Sequence, residues 1–108
     1  MKVQTEQSKF DTDEHILVCL SSSPSNAKII RTAARMATAF KGAFTALFVE
    51  TPDFSVMSEE NVKRLRSNMR LAEQLGAKIE TVYGEDVPFQ IAEFARLSGV
   101  SKIVIGRS

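Results

Sequence analysis

With a single cysteine, Cys19, in 108 residues, the chain cannot carry a disulfide framework. That cysteine lies inside an apolar run and reads as a buried, inert thiol in a reducing compartment. Net charge is nearly absent as well. A formal value of +1 is too weak to steer the chain to nucleic acid or to an anionic membrane surface. No apolar run approaches the roughly 20 residues of a membrane span. Met1 to Glu14 is polar and holds no signal-peptide core. The one histidine, His15, has no partner at metal-ligand spacing, so a structural role is expected of it. Internal repeats and low-complexity segments are also lacking. What is present is an ordinary globular balance, 44% hydrophobic and 25% charged, in a length that suits one small domain. A cytoplasmic location, or the cytoplasmic side of something larger, is expected.

Residues 1–14 are expected to form a loose arm or linker and residues 15–108 the domain. His15 to Leu20 is a near-continuous apolar run, as in a strand covered on both faces of a parallel sheet. Ser21-Ser22-Ser23-Pro24 breaks it. A helix is expected from about Ser25 to Lys41, capped by Ser23 with Pro24 in its first turn, with Ile29, Ile30, Ala33, Ala37 and Phe40 on one face. Gly42 is expected to be the left-handed residue that closes it. A second strand follows over 43–49. Ser58 then caps a helix expected over 59–75, with Val62, Leu65, Met69, Ala72 and Leu75 inward and Gly76 at its end. A strand over 78–83, a helix opened by Pro88 with Ile91, Ala92, Phe94 and Ala95 inward, Gly99, and a strand over 102–105 complete the pattern. Strict β-α alternation predicts an open parallel sheet with right-handed crossovers and helices on both faces. A fold of this type continues with another helix, so the chain is expected to be a piece of a longer protein.

Four blocks resemble the universal stress protein superfamily: the strand-loop-helix start, Leu47-Phe48-Val49-Glu50, Leu75-Gly76-Ala77, and Ile103-Val104-Ile105-Gly106. Longer stretches, Val49 to Pro52, Arg70 to Ala77 and Lys102 to Ser108, resemble one branch, the stress-protein-like domain of potassium- and osmosensing histidine kinases. The resemblance covers about residues 15 to 108. It implies a three-layer α/β fold of the universal-stress-protein, adenine-nucleotide-alpha-hydrolase-like kind, with strand order 3-2-1-4 and its last strand and helix missing. The topological switch point would then lie between strands one and four, where open α/β sheets bind ligands. Ser21 to Asn26 would form one wall, and Gly106, Arg107 and Ser108 the other.

The resemblance also implies ligands. Stress proteins that bind ATP are similar in ending strand one with Asp and in carrying a glycine-rich phosphate loop after strand four. Here Ser21 stands at the Asp position and only the first glycine, Gly106, is present, which leaves ATP unsupported and argues against a metal-assisted nucleotide. Members of the kinase branch that bind cyclic di-AMP are similar in carrying S-x-S, twenty residues, then F-T-A-x-Y. This chain has Ser21-Ser22-Ser23, residues 24–43, then Phe44-Thr45-Ala46-Leu47-Phe48, with Phe for the final Tyr. The implied ligand-binding set is Ser21, Ser22, Ser23, Ser25, Asn26, Phe44, Thr45, Ala46, Phe48, Gly106, Arg107 and Ser108. Hydroxyls and helix N–H groups would hold the phosphodiester without a cofactor or metal, and Phe48 would stack an adenine.

A plainer account stands beside this one. Ser21 to Pro24 reads equally as a capping turn, and Phe44 and Phe48, an even distance apart on a strand, share a face that one or both use as core. With no phosphoacceptor histidine motif and no ATP-lid glycines, no catalysis is expected of this piece. Three functions are therefore in play: a regulatory cyclic di-AMP module of a sensor kinase, an ATP-binding stress protein, and an interaction module that contacts other kinase domains or a second copy.

Overall fold

The computed structural model of the chain describes residues 14–106. The arm expected over 1–14 falls outside these residues except for Glu14, as do Arg107 and Ser108. Glu14 is not loose: its carbonyl accepts from Ala43 N–H (2.9 Å) and its carboxylate from the Ser101 hydroxyl (2.7 Å).

Four strands, β1 (His15–Cys19), β2 (Ala43–Glu50), β3 (Lys78–Tyr83) and β4 (Lys102–Val104), form one sheet in the order β3-β2-β1-β4. All pairings are parallel; Cys19 lies opposite Leu47 and Val18 opposite Val104. Three helices cross between them: α1 (Asn26–Phe40), α2 (Glu59–Gln74) and α3 (Val87–Ser98). A short 3-10 turn, Pro52–Val56, precedes α2.

The period-2 alternation of the central strands divides the core into two layers. Ile16, Val18 and Ala46 face α1 and α2, where they meet Ile30, Ala33, Leu65 and Ala72, with Phe44 and Phe48 packed alongside. Leu17 and Leu47 face the other way and meet Ile91 of α3, with Phe94 and Ala95 beside it. Ile16, Leu17, Val18 and Leu47 are each 0–1% exposed, which accounts for the unbroken apolar reading of β1.

Three local expectations are corrected. The α1 N-cap is Ser25, not Ser23, and its side chain makes no capping bond; the Ser23 hydroxyl instead takes the Ser25 N–H at 3.2 Å, which tightens the turn ahead of the helix. The left-handed residue closing α1 is Lys41 (φ 55°), not Gly42. Gly42 is there for space: a Cβ would sit 2.4 Å from the Glu14 carbonyl oxygen. Ala92 and Leu75 are exposed rather than inward. Ser58 and Asp86 cap α2 and α3 through Asn61 N–H and Phe89 N–H, each at 3.1 Å. Gly76 and Gly99 take the positive φ that ends those helices.

Candidate functional site

Where β1 ends, Leu20 N–H donates to Leu47 O (2.8 Å) and the chain leaves the sheet. On its other side β4 ends at Val104 and the chain leaves through Ile105 and Gly106. Between the two exits lies a crevice of about 450 Å³. Ser21, Ser22, Ser23, Ser25, Asn26 and Gly106 line it, together with Cys19 and an apolar wall of Ile29, Val87, Ile91 and Ile105. The amino ends of α1 and α3 both open here, because right-handed crossovers in a parallel sheet bring strand carboxyl ends and helix amino ends to the same edge. Gly106 lets the chain beyond β4 pass close to α1; a Cβ there would meet Ile29 Cγ1 at 3.0 Å.

The serine loop is held by hydrogen bonds that only the folded chain assembles. Asn26, 4% exposed, donates to Cys19 O (3.0 Å) and accepts from Ser21 N–H (3.2 Å). From α2, Asn68, 6% exposed, donates to Ser21 O (2.9 Å) and to Ser23 O at 3.4 Å. Arg64 donates to Ser22 O (3.2 Å) and is itself set by Asn61 and Glu60. The carbonyls of Ser21, Ser22 and Ser23 are thus turned back toward protein donors.

Loop hydroxyls keep donor capacity on the other side. Ser21 Oγ accepts from Ser23 N–H (3.2 Å), leaving its own proton free to donate. Ser23 Oγ accepts from Ser25 N–H and shares one proton with Ser25 Oγ at 2.9 Å, so the pair retains one more. Among the described residues, no lysine, arginine, carboxylate or histidine lines the crevice. The described lining is neutral, positive only through hydroxyls and helix amino ends. Burial pushes the Cys19 thiol up to about 11 from 9.0, which keeps it protonated and weakly nucleophilic at neutral pH.

The second half of the expected set lies elsewhere. Phe44, Thr45, Ala46 and Phe48 do not line the crevice. Phe44 lies opposite Ile16, low on the sheet. Ala46 is fully buried, and Phe44 and Phe48 are partly buried against the α1/α2 layer. Thr45 points to the opposite face, where its hydroxyl is 2.8 Å from His15 Nε2. His15 Nδ1 is 3.1 Å from Ser98 O, a carbonyl that only accepts, so Nδ1 donates to it. Arg107 and Ser108 lie outside the described residues.

Sequence reasoning missed Asn68, Arg64 and the α3 wall. Asn68 carried a readable signal: it sits three residues after Leu65 and four before Ala72, an amide inside the apolar stripe of α2. A polar group at such a position needs buried partners. That those partners are carbonyls of a loop 45 to 47 residues away is a tertiary fact.

No family model matches the chain. It is 42% identical over 97 residues to the sensor protein KdpD of Clostridium acetobutylicum, an alignment spanning 90% of this chain and 11% of that protein. Against the sensor protein KdpD of Escherichia coli the identity is 30% over 102 residues, spanning 94% and 11%. The chain thus spans about a tenth of the length of the curated relatives it matches. Among solved structures it resembles a universal stress protein family member from Burkholderia pseudomallei (TM-score 0.65, 19% identity, 88% of this chain and 83% of that one). It also resembles a universal stress protein in complex with cAMP (TM-score 0.63, 17% identity, 83% and 69%). A third is the Archaeoglobus fulgidus universal stress protein in complex with dAMP (TM-score 0.58, 22% identity, 86% and 80%). Sheet order, helix placement and the KdpD alignment agree: the chain is a universal-stress-protein-like domain of the KdpD type.

Proposed function

We propose that this domain is a regulatory nucleotide-binding module of a potassium-homeostasis sensor kinase, and that the crevice between β1 and β4 takes cyclic di-AMP. The observation that carries this reading is the pairing of a neutral, hydroxyl-lined rim with an apolar wall. Each phosphodiester of the ligand bears one negative charge, which two serine protons and the α1 amino end can meet without a metal. A triphosphate brings several charges into one place, and no cation or metal-holding carboxylate lines the described crevice to offset them. Ile29, Val87, Ile91 and Ile105 offer the apolar surface for an adenine, a role we assign to them rather than to Phe48. The volume, about 450 Å³, falls within the ordinary range of roughly 300–1,000 Å³ for ligand sites. A dinucleotide seats one adenosine inside and carries the other across the mouth. The cAMP and dAMP complexes of structural relatives lend general support to an adenine nucleotide. Binding, not catalysis, is the proposed role, on the cytoplasmic side of a membrane-anchored parent; among the described residues no helix is long and apolar enough to cross a membrane.

Titration calorimetry on the folded chain with cyclic di-AMP, cAMP and Mg-ATP tests the proposal. Saturable heat with cyclic di-AMP, abolished in Val87→Trp, which fills the crevice from an exposed position, supports it. No heat at high micromolar ligand overturns it, as does tighter binding of Mg-ATP or binding that Val87→Trp leaves intact.

A further inference from the structure

On the face of the α1/α2 layer turned away from the sheet, two hollows of about 560 and 240 Å³ run between the helices and share Arg31. Each helix turns a stripe with helical spacing toward them. On α1 it runs from Ala27 through Arg31, Ala34 and Arg35 to Ala39, and on α2 from Ser67 through Arg70 and Leu71, with Leu75 just past its end. The α1 stripe spans twelve residue steps, about 18 Å at 1.5 Å per residue. The larger hollow has an apolar floor of Ala34, Ala39 and Leu75, the last 41% exposed, while Ser67, Asn68 and Gln74 make the smaller one more polar. The rim is cationic. α1 contains no acidic residue at all, and among the described residues no carboxylate lies within ion-pair distance of Arg31, Arg35 or Arg70. Arg35 has only a 3.4 Å contact with Thr32 Oγ1. Elsewhere Arg64, Lys78, Arg96 and Lys102 each have a carboxylate partner; what marks this face is that three unpaired arginines border adjoining hollows.

From this groove we infer a docking surface for an acidic amphipathic helix of a partner polypeptide, independent of the nucleotide crevice. The length matches about three helical turns. An apolar hollow edged by Arg31 and Arg35 of α1, with Arg70 of α2 beside Arg31, fits a helix with an aliphatic stripe flanked by glutamates or aspartates, and arginine is the side chain suited to grip those carboxylates in pairs. The small floor residues let the incoming helix approach closely. The overall charge of +1 favours this occupant over a polynucleotide or an anionic bilayer, both of which need a wider field of charge. Asn68 lines the smaller hollow while its amide holds the serine loop, so the docked helix would rest against the brace of the crevice.

The test is fluorescence anisotropy on the 108-residue chain with a labelled helical peptide about twelve residues long, leucines at helical spacing between glutamates. Saturable binding is expected, at least about tenfold tighter than to a peptide of the same composition with its leucines scattered. Arg31→Glu and Arg35→Glu, both exposed and each checked for unchanged melting, should weaken it at least about tenfold, the loss of a paired charge worth about 1.4 kcal/mol or more. Equal binding of the scattered peptide overturns the proposal, as do unaltered affinities in both variants. Tighter binding of a single-stranded oligonucleotide or of phosphatidylserine vesicles overturns it too.

Discussion

Asn68→Ala is the most informative single substitution in this domain. In the native chain the Asn68 amide donates to Ser21 O at 2.9 Å and, with a longer reach, to Ser23 O at 3.4 Å, from a position 6% exposed. Alanine removes both donors and admits no replacement from the protein. A net hydrogen bond is worth about 1 kcal/mol and a stranded buried acceptor costs roughly 1–3 kcal/mol. One good bond, one long one and carbonyls near enough to the crevice to recruit water give a loss of about 2 kcal/mol. In a domain near 100 residues each kcal/mol moves the midpoint by roughly 4–8 °C, so thermal unfolding should shift down by about 8–16 °C. Urea unfolding followed by circular dichroism should show an earlier midpoint at unchanged slope, because the surface exposed on unfolding is the same. Asn68→Asp sharpens the reasoning. An ionised carboxylate would face two carbonyl oxygens, which favours the protonated form in the folded state. Its folded pKa is thereby raised above the unfolded value, so stability is present in acid and is lost as pH rises. An Asn68→Ala midpoint within about 0.5 kcal/mol of the parent, the range of an ordinary surface change, would refute the claim that this amide holds the loop. So would an Asn68→Asp variant whose stability does not improve on acidification.

Three further perturbations are worth making. Cys19, its thiol raised to about 11, should alkylate slowly at pH 8 and progressively faster toward pH 11, and saturating cyclic di-AMP should slow it; a fast, ligand-insensitive reaction would contradict its placement in the crevice. Because its folded pKa lies above the unfolded 9.0, its contribution to stability is complete below pH 9 and falls between pH 9 and 11, a loss that Cys19→Ala should abolish in urea titrations across that window. Gly42→Ala forces a methyl group to within 2.4 Å of the Glu14 carbonyl and should cost about 1–3 kcal/mol by chemical denaturation, whereas a neutral result would show that the β1 and β2 starts separate freely. Phe48→Ala should destabilise by about 2–3 kcal/mol through lost packing against the α1/α2 layer, and Phe48→Tyr should leave cyclic di-AMP affinity unchanged in calorimetry; tightening by the tyrosine would restore the ring to the ligand.

The order of elements was legible because each carries a short-range signal. β1 is apolar without interruption, since α1 covers one face and α3 the other. α2 shows Leu65, Met69 and Ala72 at helical spacing, with Ser58 at its start and Gly76 just past its end. Parallel pairing and the switch point follow from that alternation, and with them the place of Ser21, Ser23 and Gly106 on one crevice. Boundaries decided by a few atoms were less legible. Lys41 rather than Gly42 turns left-handed because Gly42 is needed where the Glu14 carbonyl passes, a contact across 28 residues that no local pattern encodes.

What the residues determined alone is the set of strands and helices and the signals at the ends of α2, Ser58 and Gly76, along with the neutral hydroxyl character of the loop after β1, because these depend on neighbours within a turn or on alternation along a strand. Only the tertiary structure decided which face each side chain of Phe44-Thr45-Ala46 occupies, that Asn68 and Arg64 reach across to hold the serine carbonyls, and that three arginines from two helices border one groove. The physical reason is common to all three. Hydrogen-bond partners and shared surfaces are chosen by proximity after the chain has closed, and residues 30 or more positions apart acquire that proximity only through the sheet that joins them.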